Sequence, residues 1–341
     1  MKRDEGRAAN AALPQKEVKD MLISVVIPCY RSAKTLPVVV DEIRGEFAKH
    51  PGYDYQLVLV NDGSPDDTCG VIRELCRQDA NITGIDLSRN FGQACARMAA
   101  LPYIRGDCAV YMDDDGQHPA AGIFLLLEKL REGYDVVYAS FRHKKHSLFK
   151  RVTSRMHKKI SEWLGTSPRG VRVTPFFIID RLMVEELKKY HSPFPGIVSY
   201  LLRISVRHGN AEIEHRARIA GHSGYSLKKL ILLWLNVVTC FSIIPLRIAS
   251  VLGMFVGAGG FLAMVVFVVR KLLNPGIVLG YTSLISVILL IGGVIMMMLG
   301  IIGEYLGRMY MTISDMPQYC IRETMNVETG HEEDRGDSNC Y

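Results

Sequence analysis

The sequence predicts an α/β domain with a Rossmann-like parallel sheet, followed by a pair of membrane helices. Three observations predict it. Short apolar runs alternate with helical stretches from Leu22 to Ala139. Polar motifs recur at the carboxyl ends of those runs. Further on, Ile248–Val269 and Leu272–Gly303 carry no charged residue.

The elements follow in order. Leu22–Ile27 is a β-rich run ending at Pro28, and a helix is expected over about Leu36–Lys49. Tyr55–Val60 is the second strand, closed by Asn61-Asp62-Gly63-Ser64-Pro65, and Asp67–Gln78 the second helix. Ile82–Leu87 is the third strand, with a helix over Gln93–Ile104. Cys108–Met112 is the fourth, ending in Asp113-Asp114-Asp115; a helix over Ile123–Glu132 and a fifth strand over Asp135–Ala139 complete the series. Alternation at this spacing argues for a parallel sheet covered by helices. Runs such as LVLV and AVYM fit strands buried on both faces. Open sheets of this kind bind ligands at the carboxyl edge, where the strand order reverses.

Ile248–Val269 and Leu272–Gly303 are each long enough to cross a bilayer core, which takes about 20 apolar helical residues. Asn274-Pro275-Gly276 between them is turn chemistry. Buried core helices rarely run this long without charge. Gly253, Gly257 and Gly260 share nearly one helical face, which suits close packing within the pair or against another copy. Lys228, Lys229, Arg247 and Arg308 flank the outer ends, against Arg270 and Lys271 at the tip, so both termini are expected in the cytoplasm. Ser226–Phe241 reads as an interfacial helix, and Glu304–Tyr319 mixes aromatic and charged residues similarly; simple helix flanks are the alternative for both. The plan is therefore a charged tail over 1–20, the α/β domain over 21–225, an interfacial helix over 226–246, a transmembrane hairpin over 247–303 with spans near 248–269 and 279–302, a juxtamembrane helix over 304–325 and a second tail over 326–341.

Composition narrows the class. The 341 residues are 48% hydrophobic and 22% charged, which excludes disordered, collagen-like and disulfide-scaffold proteins. The net charge of +6 suits an anionic surface or substrate without proving either. The eight cysteines show no metal-ligand spacing and read as free thiols of a reducing compartment. No GxGxxG follows the first strand and no GxxxxGK[ST] occurs, which disfavours dinucleotide oxidoreductases and P-loop NTPases.

The sharpest signal is Asp113-Asp114-Asp115-Gly116-Gln117-His118-Pro119. In an extended segment residues i and i+2 point the same way, so Asp113 and Asp115 are expected to converge, with Gln117 adding an oxygen. Hard oxygen ligands suit Mg²⁺ or Mn²⁺. An Asp-rich turn capping the helix that starts near Pro119 is the alternative.

Taken together, SVVIPCYRSAKTL, VLVNDGSPDDT, LSRNFGQ, YMDDDGQHP, GHSGYSLKKL and two apolar spans resemble a family 2 glycosyltransferase of the polyprenyl-phosphate type. That group includes dolichyl-phosphate mannose synthase, bacterial polyprenyl-phosphate glucosyltransferases and undecaprenyl-phosphate aminoarabinose transferases. The resemblance implies a GT-A fold, a nucleotide-sugar donor (UDP favoured over GDP), a divalent cation and a polyprenyl phosphate acceptor at the cytoplasmic face of a bacterial inner membrane. It implies a lipid bilayer partner, no nucleic acid, and a homo-oligomer, since relatives include tetramers.

Residue by residue, the resemblance assigns Pro28, Tyr30, Asn61 and Asp62 to the nucleoside pocket. Arg89 goes to the donor-facing loop, and Asp113, Asp114, Asp115 and Gln117 to the metal and diphosphate. Arg142 and Arg151 match family arginines after the fifth strand. Arg218 precedes Gly221-His222-Ser223-Gly224-Tyr225, where Ser223 is the motif serine and Gly224 stands where many relatives carry Lys. The basic run from Arg142 to Arg155 also fits a solvated helix face or a membrane-surface patch. Asp180 matches a family Asp near the acceptor, or simply starts the helix Arg181–Tyr190. A phosphate acceptor is already largely ionised at neutral pH, so the chemistry asks for charge management rather than a strong base. A processive polysaccharide synthase is the competing enzyme reading, but no QxxRW-type motif occurs. A non-catalytic membrane scaffold is the other competitor, and the intact acidic motif argues against it.

Overall fold

The computed structural model describes residues 21–141, 170–214, 244–273, 281–314 and 316–327. The candidates Arg142, Arg151, Arg218 and Ser223 lie outside the described residues. So do both expected tails over most of their length and nearly all of the expected interfacial helix.

Eight described strands form one sheet. They are β1 Met21–Cys29, β2 Tyr53–Asn61, β3 Ile82–Leu87, β4 Cys108–Tyr111, β5 Val136–Phe141, β6 Phe177–Asp180, β7 His208–Ile213 and β8 Ile321–Met325, in spatial order β7-β5-β6-β4-β1-β2-β3-β8. Helices α1 Leu36–Ala48, α2 Thr68–Gln78, α3 Gln93–Ala99, α4 Ala121–Arg131, α5 Arg181–Lys188 and α6 Ile197–Ile204 cover it. The expected third helix breaks at Ala100 into a short 3₁₀ turn, Leu101–Tyr103, at Pro102.

The block β3-β2-β1-β4 is parallel, as the alternation predicts. Its strands are near-continuous apolar runs because both faces are covered. Ile23, Val25, Leu57 and Val110 pack with α1, α2 and α4 on one face, while Val26, Val58, Ala109 and Tyr111 pack with α3, α5 and α6 on the other. Strand order reverses at β1, which separates β2 from β4, so the crevice lies beyond Cys29 and Tyr111. Pro28 sits past the last β1–β4 pair, Val26↔Tyr111, so its missing N–H costs no ladder bond on that side.

The sheet is not wholly parallel, which corrects the expectation. β6 runs antiparallel between β4 and β5. Its register places Asp180 opposite Cys108, at the amino end of β4, and Phe177 opposite Tyr111, at the carboxyl end. Asp180 is therefore at the opposite end of the strands from the acidic motif, about 10 Å from the carboxyl end of β4 along the strand at 3.3 Å per residue. Its carboxylate accepts from the Met183 N–H at 2.8 Å as the N-cap of α5. The capping role is thereby shown.

The expected juxtamembrane helix over 304–325 is also corrected. Helix α8, Tyr281–Ile313, runs unbroken through the polar residues, helped by the Glu304–Arg308 ion pair at 2.6 Å four residues apart. The chain then returns to the sheet as β8, antiparallel to β3. All six residues of β3 are buried, so its outer edge needs a cover. Helix α7, Ile244–Leu273, precedes α8 and lies against it, with Gly253 facing the Met298 thioether. A Cβ at Gly257 or Gly260 would meet nothing within 4 Å. Among the described residues one stretch, Leu290–Ile313, is long and apolar enough to cross a membrane; its mean hydropathy is 1.8 and none of it is buried. The six described cysteines are all free thiols.

Asp180→Ala should lower stability by about 1 kcal/mol, the usual cost of losing an N-cap. Urea titration reads it. An unchanged midpoint would contradict the capping role.

Candidate active site

The site is built at the carboxyl edge of the parallel block by the segments that follow β1, β2, β3 and β4. Beyond β1 the chain turns through Arg31, whose φ of +59° lies in the left-handed region. The turn is held from outside. The Arg31 N–H donates to Ser64 Oγ, and the Ser32 N–H to Thr68 Oγ1, itself bonded to Asp66. Ser64, Asp66 and Thr68 all belong to the SPDDT stretch after β2. That stretch is thus a brace for the Tyr30–Ser32 turn, a role the sequence reading did not give it. Tyr30 is exposed, with the Arg31 guanidinium over its ring.

Asn61 and Asp62 end β2 and are both buried. Asn61 donates to Asp86 Oδ1 at 2.7 Å and accepts from the Ser64 N–H. The Asp62 carboxylate accepts from the Phe91 N–H at 2.7 Å and the Gly92 N–H at 3.0 Å. Burial pushes its carboxyl up from the ordinary range, and these N–H bonds pull it part of the way back. Asn61 thus ties the end of β2 to β3, and Asp62 holds the loop after β3. The loops after β2 and β3 are so close that a Cβ on Gly63, at φ +56°, would lie 2.4 Å from the Arg89 carbonyl carbon. Only glycine fits there. Arg89 is exposed and stacks over Phe91.

The acidic motif is a turn, not an extended segment, with Gly116 at φ +73°. The three carboxylates of the motif have different protein partners. Asp114 turns inward, and its Oδ2 accepts from the Tyr30 N–H at 3.1 Å and from the Ser32 hydroxyl. Burial raises its carboxyl above the ordinary range despite those donors. Asp113 Oδ1 accepts from Gln93 Nε2 at 2.5 Å and from Arg97 Nη2 at 3.0 Å. Asp115 Oδ1 accepts from the Gln117 N–H at 3.0 Å. The Asp113 N–H donates to Nδ1 of His118, a buried ring stacked on Phe176 at 4.8 Å and on Phe141 at 5.9 Å. His118 Nδ1 is thereby the unprotonated nitrogen.

Gln93, Arg97 and His118 were missed as site residues. Their signal was available: Gln93 and Arg97 are four apart on a helix whose first turn follows a loop at the binding edge. His118 sits inside the motif itself.

The donor set fits a hard divalent cation in its chemistry. Both donors to Asp113 use Oδ1, so Oδ2 has no protein partner among the described residues. Asp113 and Asp115 are partly exposed, while the middle carboxylate is spent on structure. No group of three or more His, Cys, Asp or Glu side chains among the described residues is already gathered for a metal, so a cation here would complete its shell with substrate oxygens and water.

Comparison with known proteins adds the family. The model described as "Glycosyl transferase family 2" matches residues 24–190, and that described as "GtrB C-terminal hairpin" matches 244–309. The SfII prophage-derived bactoprenol glucosyl transferase of Shigella flexneri is 32% identical, over 89% of this chain and 98% of the relative. The undecaprenyl-phosphate 4-deoxy-4-formamido-L-arabinose transferase of Proteus mirabilis (strain HI4320) is 30% identical, over 90% and 94%. The uncharacterized glycosyltransferase YkcC of Bacillus subtilis (strain 168) is 31% identical, over 89% and 94%. Among solved structures, glucosyl-3-phosphoglycerate synthase from Mycobacterium tuberculosis, in complex with Mn²⁺, uridine diphosphate and phosphoglyceric acid, is 20% identical with a TM-score of 0.48, over 64% of this chain and 76% of that one.

The inward carboxylates set a pH dependence. A carboxyl whose folded pKa is raised binds its proton more tightly in the folded state, so stability falls as pH climbs from the unfolded value through the folded one. Asp62, Asp114 and Asp180 share that direction, each raised chiefly by burial. The contribution of these three carboxyls should therefore fall as pH rises from about 4, and Asp114→Asn should gain stability relative to wild type across that rise. Urea midpoints across that range check it, and identical slopes would refute the inward placement of Asp114.

Proposed function

Because the chain belongs to glycosyl transferase family 2 and carries the GtrB C-terminal hairpin, we propose that it transfers a sugar from a nucleotide-sugar donor, UDP-linked, to a polyprenyl phosphate such as undecaprenyl phosphate. The observation that carries this reading is the join between relatives and geometry. Relatives named for bactoprenol and undecaprenyl phosphate align over nine-tenths of the chain. The acidic turn that a diphosphate would need follows β4 at the strand-order reversal, with Asp113 and Asp115 partly exposed.

In this mechanism a phosphate oxygen of the acceptor forms the new bond to the anomeric carbon. The bond from that carbon to the donor's diphosphate oxygen breaks, and UDP leaves with the electron pair. Attack opposite the leaving group inverts the anomeric centre. Two anions must approach, so charge neutralisation governs the rate. A bound Mg²⁺ or Mn²⁺ would neutralise the departing diphosphate, held by Asp113, Asp115 and Gln117. Gln93 and Arg97 fix the Asp113 carboxylate through Oδ1, which leaves Oδ2 available. Asp114 holds the Tyr30 turn, Asp62 holds the Arg89 loop and Asn61 holds the Ser64 turn, so the donor meets preset walls. Arg142, Arg151, Arg218 and Ser223 are the proposed phosphate contacts.

Helices α7 and α8 are proposed as a two-span hairpin in a bacterial inner membrane, with the catalytic domain and both termini cytoplasmic. The acceptor stays in the bilayer because each buried CH₂ is worth about 0.8 kcal/mol. An assembly of several copies, a tetramer by resemblance, completes the proposal.

Incubation of the detergent-solubilised chain with Mn²⁺, undecaprenyl phosphate and labelled UDP-glucose or UDP-4-deoxy-4-formamido-L-arabinose should move label into the lipid phase, with inversion read by NMR. Asp115→Ala should cut turnover at least about a hundredfold, several kcal/mol of lost charge neutralisation, while its urea midpoint stays near wild type. Chelation by EDTA should abolish activity and added Mn²⁺ restore it. A fully active Asp115→Ala protein would remove the metal assignment; no label in lipid from any donor would remove the acceptor.

A further inference from the structure

The strand that follows the apolar helices does more than cover an edge. In the β3–β8 ladder Asp86 pairs with Glu323 but Leu87 pairs with Ile321, so Arg322 is the extra residue of a β-bulge. Bulges re-aim side chains. Arg322 is aimed back toward the crevice edge. Its Nη2 donates to the Ser88 carbonyl at 2.6 Å, and its Nη1 lies 3.8 Å from Asp86 Oδ2. The Ser88 N–H is bonded in turn to the Cys320 carbonyl.

Those two partners lead into both walls assigned to the donor. Asp86 is buried, and its other oxygen takes the Asn61 amide, whose own oxygen takes the Ser64 N–H. Ser88 opens the loop whose Phe91 and Gly92 amides are gripped by Asp62. One guanidinium thus fixes the Asn61–Ser64 turn and the Ser88–Gly92 loop together. The second ion pair of β8, Arg73–Glu323 at 2.8 Å, holds the same strand but reaches neither loop.

We propose that Arg322 is a positioning residue for the nucleotide-sugar donor, acting through Asp86 and the Ser88 carbonyl from a strand encoded after the membrane hairpin. The assignment of those loops to the donor rests on the function proposed above. The arrangement makes donor binding depend on the docking of β8, while acceptor binding does not.

The test compares full-length Arg322→Ala, Arg322→Lys and Arg73→Ala with wild type. Arg322→Ala should raise the donor KM about tenfold, the scale of one charge-assisted hydrogen bond, with acceptor KM unchanged and kcat near wild type at saturating donor. Arg322→Lys keeps the charge but not the fork, and should fall between. Arg73→Ala should leave donor KM unchanged. Hydrogen exchange gives a readout that needs no substrate: amides of Asn61–Ser64 and Ser88–Gly92 should exchange faster in Arg322→Ala and not in Arg73→Ala. Equal effects of Arg322→Ala and Arg73→Ala on KM or exchange would reduce the residue to general strand docking and overturn the proposal, as would unchanged exchange in Arg322→Ala. Faster exchange with no turnover of any UDP-sugar, even by wild type, would retain the loop coupling and overturn the donor reading instead.

Discussion

One carboxylate closes the sheet's switch point. Chain segments leaving β1 and β4 diverge to helices on the same face, and nothing in the β-ladder joins them beyond Val26 and Tyr111. Asp114 supplies the missing join by accepting from the Tyr30 N–H and the Ser32 hydroxyl. Its burial costs solvation, visible in its raised carboxyl, and the donors offset part of that cost. Asp113 and Asp115 take other partners, Gln93 and Arg97 for the first and the Gln117 N–H for the second.

The other three corners obey the same rule of side-chain acceptors gripping backbone amides. Asp62 grips Phe91 and Gly92, Asn61 grips Ser64, and Ser64 and Thr68 grip Arg31 and Ser32. Four loops on four strand ends therefore hold one another through short polar side chains. A site whose work is bringing two anions together gains from such rigidity, because fixed dipoles need no reorganisation as charge moves. It also explains why so many of its polar residues point away from the crevice: they position, and few remain to bind.

This division sets how much could be read beforehand. The parallel strands, their covering helices and the acidic motif were legible, because apolar periodicity and turn residues are local signals. The motif's geometry was not. Asp113 and Asp115 read as one extended face, and Gly116 at φ +73° turns that stretch into a bend. Asp180 illustrates the same limit. Its residue type fits a cap and a catalytic acid equally, and only the antiparallel register of β6, a long-range pairing, sends it to the opposite end of the strands. β8 was hidden because IRETM is short and polar, and it becomes a strand only against the unpaired edge of β3. Gln93 and Arg97 were within reach, since helix spacing alone puts them on one face.

The topology carries one more constraint. β7 and β8 are the two outer strands of the described sheet, and the chain passes from one to the other through α7 and α8. Eight strands at about 4.8 Å separation place those edges roughly 34 Å apart. β8 therefore closes the far edge from beyond the whole apolar-helix segment, and its pairing with β3 is a contact of very long sequence separation. Closing such a loop costs entropy, but the cost grows only slowly with loop length, so the buried β3 ladder and the Arg322 contacts can offset it. The strand that follows the apolar helices is then both the cover of that edge and, through Arg322, a hand on the Ser88–Gly92 loop.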